Sequence, residues 1–127
     1  MEAGKPEEWI QAEIEALELP IQDVVARLRS TIGVRLVAYM GGTGTTSYVT
    51  AWADERDLPR PDARRRLRAA LHAMGILQQR WDPITIQSWF KGMNPVLGDN
   101  SPARVIREGR PEDDREVIVA AKAAMTE

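Results

Sequence analysis

Val34-Arg35-Leu36-Val37-Ala38-Tyr39-Met40-Gly41-Gly42-Thr43-Gly44-Thr45-Thr46-Ser47-Tyr48-Val49-Thr50-Ala51-Trp52-Ala53 decides the fold of this 127-residue chain, because it admits two readings of opposite class. In the first, Val34 to Met40 form a strand, Gly41 to Gly44 a glycine loop and Thr46 to Ala53 a helix. That outline is a phosphate-binding turn, in which backbone N–H groups at a helix N-terminus hold an anion. It fails because the loop lacks a closing Lys-Ser/Thr and a third glycine at dinucleotide spacing. No other segment supplies strands for a parallel sheet. In the second, Ile32, Leu36, Val37 and Met40 recur at helical spacing and make one apolar face. The glycines then make a tight turn, and Thr45 or Thr46 caps a following helix whose Val49, Trp52 and Ala53 face inward. The expectation is a helix-turn-helix outline at about 32–56 in an all-α chain.

Upstream, Ile10, Ile14 and Leu17 fall at i, i+4, i+7 in a helix over 7–18, which Pro20 ends. Ile21, Val24, Val25, Leu28 and Ile32 continue the period in a second helix, stopped by Gly33. Both helices carry acidic outer faces and need an apolar surface to cover, as the arm of a dimer would. Downstream, Arg60-Pro61-Asp62 opens a helix to about Leu77, with Ala63, Leu67, Ala70, Leu71 and Met74 as its buried stripe. Asp82-Pro83 and Ser101-Pro102 start two more helices, and Pro111 opens a last one. The expected seam is Gln78–Pro83, giving a helical block over 1–80 and a small three-helix block over 81–127.

Composition narrows the function. Hydrophobic residues make up 43% and charged residues 28%, which fits a globular chain. There is no cysteine, so disulfides and thiolate metal sites are excluded. The single histidine, His72, leaves no ordinary nucleophile–base dyad or zinc set, and no enzyme, metal or cofactor is expected. Glu112, Asp113, Asp114 and Glu116 read as a solvated helix start matched to the helix dipole; a carboxylate-only site is the alternative. The N-terminus has no basic-then-apolar signal pattern and no apolar run spans a membrane, so a cytoplasmic location is expected. The net charge of −2 conceals a division. Residues 1–23 hold seven acids and one Lys, whereas residues 24–80 hold ten Arg and four acids. Such a basic middle can meet nucleic acid where the acidic flanks cannot.

Ser88-Trp89-Phe90-Lys91-Gly92-Met93-Asn94-Pro95-Val96-Leu97-Gly98 resembles the W-F/L-x-G-x-N-P-x-L signature of the Xre/MbcA/ParS-type antitoxins. Ser101 to Gly109 is similar to that family's P-x-x-L-L-x-x-G helix, and a last helix rich in Val and Ala follows. Leu36 to Tyr39, Val49 to Ala53 and Arg65 to Arg68 resemble its Xre-like helix-turn-helix, so the likeness covers roughly residues 30–125. The resemblance implies a type II antitoxin whose C-terminal domain blocks a RES-domain toxin that degrades NAD⁺. It also implies assembly into a homo-oligomer and binding to operator DNA through the N-terminal block. The alternatives are a stand-alone transcription regulator and a dimerisation or adaptor module.

Within that frame, Trp89, Phe90, Gly92, Asn94, Pro95 and Leu97 read as scaffold of the toxin-binding domain. Trp89 is expected to plug its core, with Phe90 the more exposed of the two, and Asn94-Pro95 to fix a turn. Lys91, Met93, Arg104, Arg107 and Lys122 are expected to be exposed and to contact the toxin, a cation among them covering its anion-binding pocket. For DNA, Ser47, Tyr48 and Thr50 are placed at bases, and Arg56, Arg60, Arg64, Arg65 and Arg68 at phosphates. Asp54-Glu55 departs from the family pattern, in which this helix is often basic; the competing role for the arginines is pairing with the acidic N-terminal helix.

Overall fold

The helices that begin at Pro61, Pro83 and Pro102 each place a proline in the first turn, where its missing N–H costs nothing. Two of these also have a side-chain cap, Asp82 accepting from the Thr85 N–H and Ser101 from the Arg104 N–H. The computed structural model describes residues 6–126 and contains, among them, eight α-helices and no strand. They are α1 (Pro6–Glu18), α2 (Ile21–Ile32), α3 (Val34–Gly41), α4 (Ser47–Ala53), α5 (Pro61–Leu77), α6 (Pro83–Lys91), α7 (Pro102–Glu108) and α8 (Asp113–Met125). The all-α expectation holds, and the strand–loop–helix alternative falls with it. Residues 34–40 are helical because Gly33, at φ 91°, breaks the chain between α2 and α3 without ending the helical pattern.

α5 is the hub, with α1, α2, α3, α7 and α8 packed around it. Its Leu67, Ala70, Leu71, Ala73, Met74, Ile76 and Leu77 are all buried. The core is continuous: Leu28, Met40 and Leu71 belong to the same cluster as Ile86, Phe90, Ile106, Val117 and Met125. Helices on both sides of Gln78–Pro83 therefore contribute to one apolar interior. Each fully buried large side chain in it stabilises the fold by about 1.5–3 kcal/mol.

α1 docks unexpectedly. Its buried residues are small, Ala12 and Ala16, and a Cβ added to Gly75 of α5 would lie 2.9 Å from the Ala12 Cβ. The two helices thus approach through small residues. Ile10, Ile14 and Leu17, the stripe expected to cover an apolar surface, are 56%, 40% and 67% exposed. Polar fasteners hold α1 in place. Arg68 donates to the Ala16 and Leu19 carbonyls at 3.0 and 2.8 Å, and Arg27 pairs with Glu15 at 2.6 Å. The Arg27 hydrogen bond holds the Glu15 carboxyl below its ordinary pKa.

Candidate functional site

Two surfaces carry the residues singled out from the sequence: the α3–α4 corner with the start of α5, and the α6–α7 connection. At the corner, the glycines have a structural task. A Cβ on Gly41 would meet the Trp52 ring at 3.1 Å. Gly42 sits at φ 81°, and a Cβ there would lie 2.7 Å from the Arg66 guanidinium. Arg66 donates to the Met40 and Gly41 carbonyls, both at 3.0 Å, so it closes the C-terminal end of α3. Burial, ahead of repulsion from Arg65, pushes the Arg66 pKa down. Neither expected threonine places its side chain as a cap on α4 in the ordinary way. Thr46 makes no capping bond, and Thr45 Oγ1 instead accepts from the Ser47 N–H at 3.3 Å.

Ser47 and Tyr48 are exposed on α4 and Thr50 is half-buried. The arginines expected beside them divide into two groups. Arg56 and Arg60 are exposed. Arg64 donates to the Pro59 carbonyl at 2.6 Å, Arg68 holds the end of α1, and Arg65 pairs with Asp114 of α8 at 2.5 Å. Each of the three, expected to face phosphates, thus bonds within its own chain: Arg65 and Arg68 because α8 and α1 flank their side of α5, and Arg64 to the loop that precedes α5. Burial raises the Asp114 pKa, and the Arg65 hydrogen bond offsets part of that rise. The pair thus sits near the balance between desolvation and attraction expected of half-buried ions. The cleft at this corner, about 810 Å³, mixes Arg60 and Arg66 with Asp57 and Asp62 and so has no single sign.

The α6–α7 connection reverses one expectation. Phe90 is fully buried, while Trp89 is half-buried and meets the Phe90 ring edge-to-face at 5.1 Å. Phe90 turns inward because it shares the inner face of α6 with Ile86, four residues earlier. Gly92 is extended, and Leu97 is buried at the second end of the loop. Between them the chain is tightly bonded. Asn94 Oδ1 accepts from the Val96 N–H at 3.0 Å, and its carbonyl accepts from Leu97 and Asp99 at 2.9 Å each. Pro95–Leu97 forms one 3-10 turn, closed by Gly98 at φ 63°. The result is a stiff loop anchored at Phe90 and Leu97 that leaves Met93 79% and Val96 47% exposed.

Of the residues expected to face a partner, Lys91, Met93 and Arg104 are exposed. Arg104 bonds Glu108 one turn on, at 3.2 Å, with both side chains still open to solvent. Arg107 is not free, contrary to expectation. It donates to the Tyr39 carbonyl at 2.7 Å and stacks 4.7 Å from the Tyr39 ring centroid, tying α7 to α3. Lys122 is half-buried, its ammonium 5.3 Å from the Trp9 ring centroid. Arg66 and Arg80, the latter bonded to the Met125 carbonyl at 3.0 Å, were not distinguishable in sequence from solvated arginines. Their partners lie tens of residues away. Among the described residues no cluster of His, Asp or Glu has the arrangement of a metal site. No helix among the described residues is long and apolar enough to cross a membrane. No protein-family model matches this chain, and neither a curated protein nor a solved structure matches it.

Proposed function

We propose that this chain is the antitoxin of a type II toxin–antitoxin pair, whose C-terminal helices bind and block a RES-domain toxin that degrades NAD⁺. The observation that carries this reading is the stiff α6–α7 loop with Met93 and Val96 outside it. Exposed apolar side chains on a pre-ordered loop suit a protein partner, because little entropy is lost when they are covered. Exposed Arg104, which lines the same groove as Val96, offers a planar cation to an anion-binding pocket. The resemblance of Trp89 to Leu97 to the antitoxin signature supports the choice of partner.

The test is recovery of the tagged protein from its native host, with bound proteins identified by mass spectrometry. A RES-fold protein is expected at stoichiometric yield. Met93→Asp should weaken that complex by at least about thirtyfold, the loss of one apolar anchor, while far-UV circular dichroism stays unchanged. No protein partner, with operator DNA retained, would overturn the antitoxin assignment in favour of a stand-alone regulator.

Operator binding is the second half of the proposal. Taking α3 and α4 as the helix-turn-helix, exposed Ser47 and Tyr48 would reach bases, and Arg56 and Arg60 the flanking phosphates. With half-buried Arg64, Arg65 and Arg68 each hydrogen-bonded within the chain, few free cations remain. The salt dependence of operator affinity should therefore be shallow, about two counterions per copy. A slope corresponding to five or more would return those three arginines to the interface.

A further inference from the structure

α1 carries an apolar ridge that no other described residue covers. Ile10, Ile14 and Leu17 are exposed along one line, and at 100° per residue Glu13 flanks them on one side, Glu7 and Glu18 on the other. All three glutamates are exposed. Two α1 ridges laid against each other would bring these carboxylates together. A better fit is present elsewhere on the same chain. At the α2–α3 junction a mainly apolar groove of about 460 Å³ is lined by Ile32, Val34, Leu36 and Tyr39, with Arg35 and Lys91 at its rim. No carboxylate lines it. Both rim cations are exposed and form no ion pair among the described residues.

We infer that this protein self-associates by seating the α1 ridge of one copy in the α2–α3 groove of another. The apolar sides of ridge and groove meet, and Glu13 and Glu18 face Arg35 and Lys91 across the rim. Reciprocal exchange between two copies satisfies both ridges and both grooves at once, as a closed two-fold assembly does. The complementarity of charge explains why α1 keeps its large aliphatic residues outside. Ala12, Ala16, half-buried Trp9 and the Arg68 and Arg27 bonds hold α1 on its own chain, and the ridge is left for the second copy. This inference does not depend on the antitoxin assignment: it uses neither Met93 nor Arg104, shares only Lys91 with the residues expected at the toxin, and is read by self-association with no toxin present.

Light scattering after gel filtration, combined with chemical cross-linking, tests it. The chain lacks cysteine, so single thiols report position cleanly. Ile14→Cys and Leu36→Cys proteins of distinguishable mass, each first checked for helicity, are mixed and treated with a short bis-maleimide. The expected product is the mixed 14–36 dimer. Predominant 14–14 product in the Ile14→Cys protein alone would overturn the inference in favour of α1–α1 pairing; so would absence of any cross-link.

Charge reversal provides the second arm. Glu13→Lys with Glu18→Lys, or Arg35→Glu with Lys91→Glu, should each raise the dissociation constant at least about tenfold, the loss of complementary rim charge. In the reciprocal mixed dimer of the two reversed proteins both ridge–groove pairs are matched in charge, one native and one reversed, so the mixture should associate more tightly than either protein does with itself. Reversed proteins that associate as tightly alone as the unaltered chain would refute the contact.

Discussion

The stripe in α1 and the stripe in α2 look alike in sequence and meet opposite fates. Ile10, Ile14 and Leu17 recur at the same helical period as Ile21, Val24, Val25, Leu28 and Ile32. Yet the α2 residues are all buried while those of α1 stand at 56%, 40% and 67% exposure. The difference lies in what each helix meets. α2 faces α3, α4, α5 and α6, a concave surroundings that accepts large side chains. α1 packs mainly on α5 along a line where Gly75 leaves room for an alanine and no more. An apolar stripe therefore reports that some surface will be covered; it does not say whether that surface belongs to the same chain.

The largest expected effect comes from truncating one residue of each stripe. Leu28→Ala should cost about 2–5 kcal/mol, because it leaves a cavity in a closed core. Leu17→Ala should change stability by no more than about 0.5 kcal/mol. Denaturant unfolding at the lowest workable protein concentration, where self-association contributes little, makes the comparison. Equal losses would mean that Leu17 is buried by its own chain.

The next effect probes the reason for the inversion. Gly75→Ala puts a methyl group 2.9 Å from the Ala12 Cβ and should destabilise by about 1–3 kcal/mol through overpacking. Adding Ala12→Gly should recover part of that loss, and the coupling in the double-mutant cycle is the readout. Additive losses would show that α1 does not touch α5 at this point.

The smallest effect concerns pH. His72 of α5 lies in the groove between α1 and α8, and burial, opposed by Glu13 and reinforced by Lys122, holds its pKa below the ordinary 6.5. The unfolded chain therefore binds a proton at higher pH than the folded one. Stability is full above about pH 6.5 and declines as pH falls toward the folded pKa. His72→Asn should flatten the stability profile between pH 7 and 5 relative to the unaltered chain. Parallel profiles would place His72 in solvent.

Residue by residue, legibility followed the range of the cause. Pro61, Pro83 and Pro102 mark helix starts, and Gly33 marks a break, through backbone geometry acting within a few residues. Asp82 and Ser101 were readable as caps for the same reason. Trp89 and Phe90 were not separable. Adjacent residues on a helix point 100° apart, and only the position of the neighbouring helices decides which enters the core. The arginines were least legible. Arg65 finds Asp114, Arg66 finds the end of α3, Arg68 the end of α1 and Arg107 the Tyr39 carbonyl, each across dozens of residues.

The amino-acid sequence by itself determined an all-helical chain, the punctuation of most of its helices and the tight turns around Gly42 and Gly98. These rest on steric and hydrogen-bonding preferences local to the backbone. The tertiary structure alone decided which apolar stripe is interior, which of two aromatic rings fills the core and which cations remain for a partner. Those outcomes depend on desolvation and on the shape of surfaces brought together from distant parts of the chain, and no periodicity within one helix encodes them.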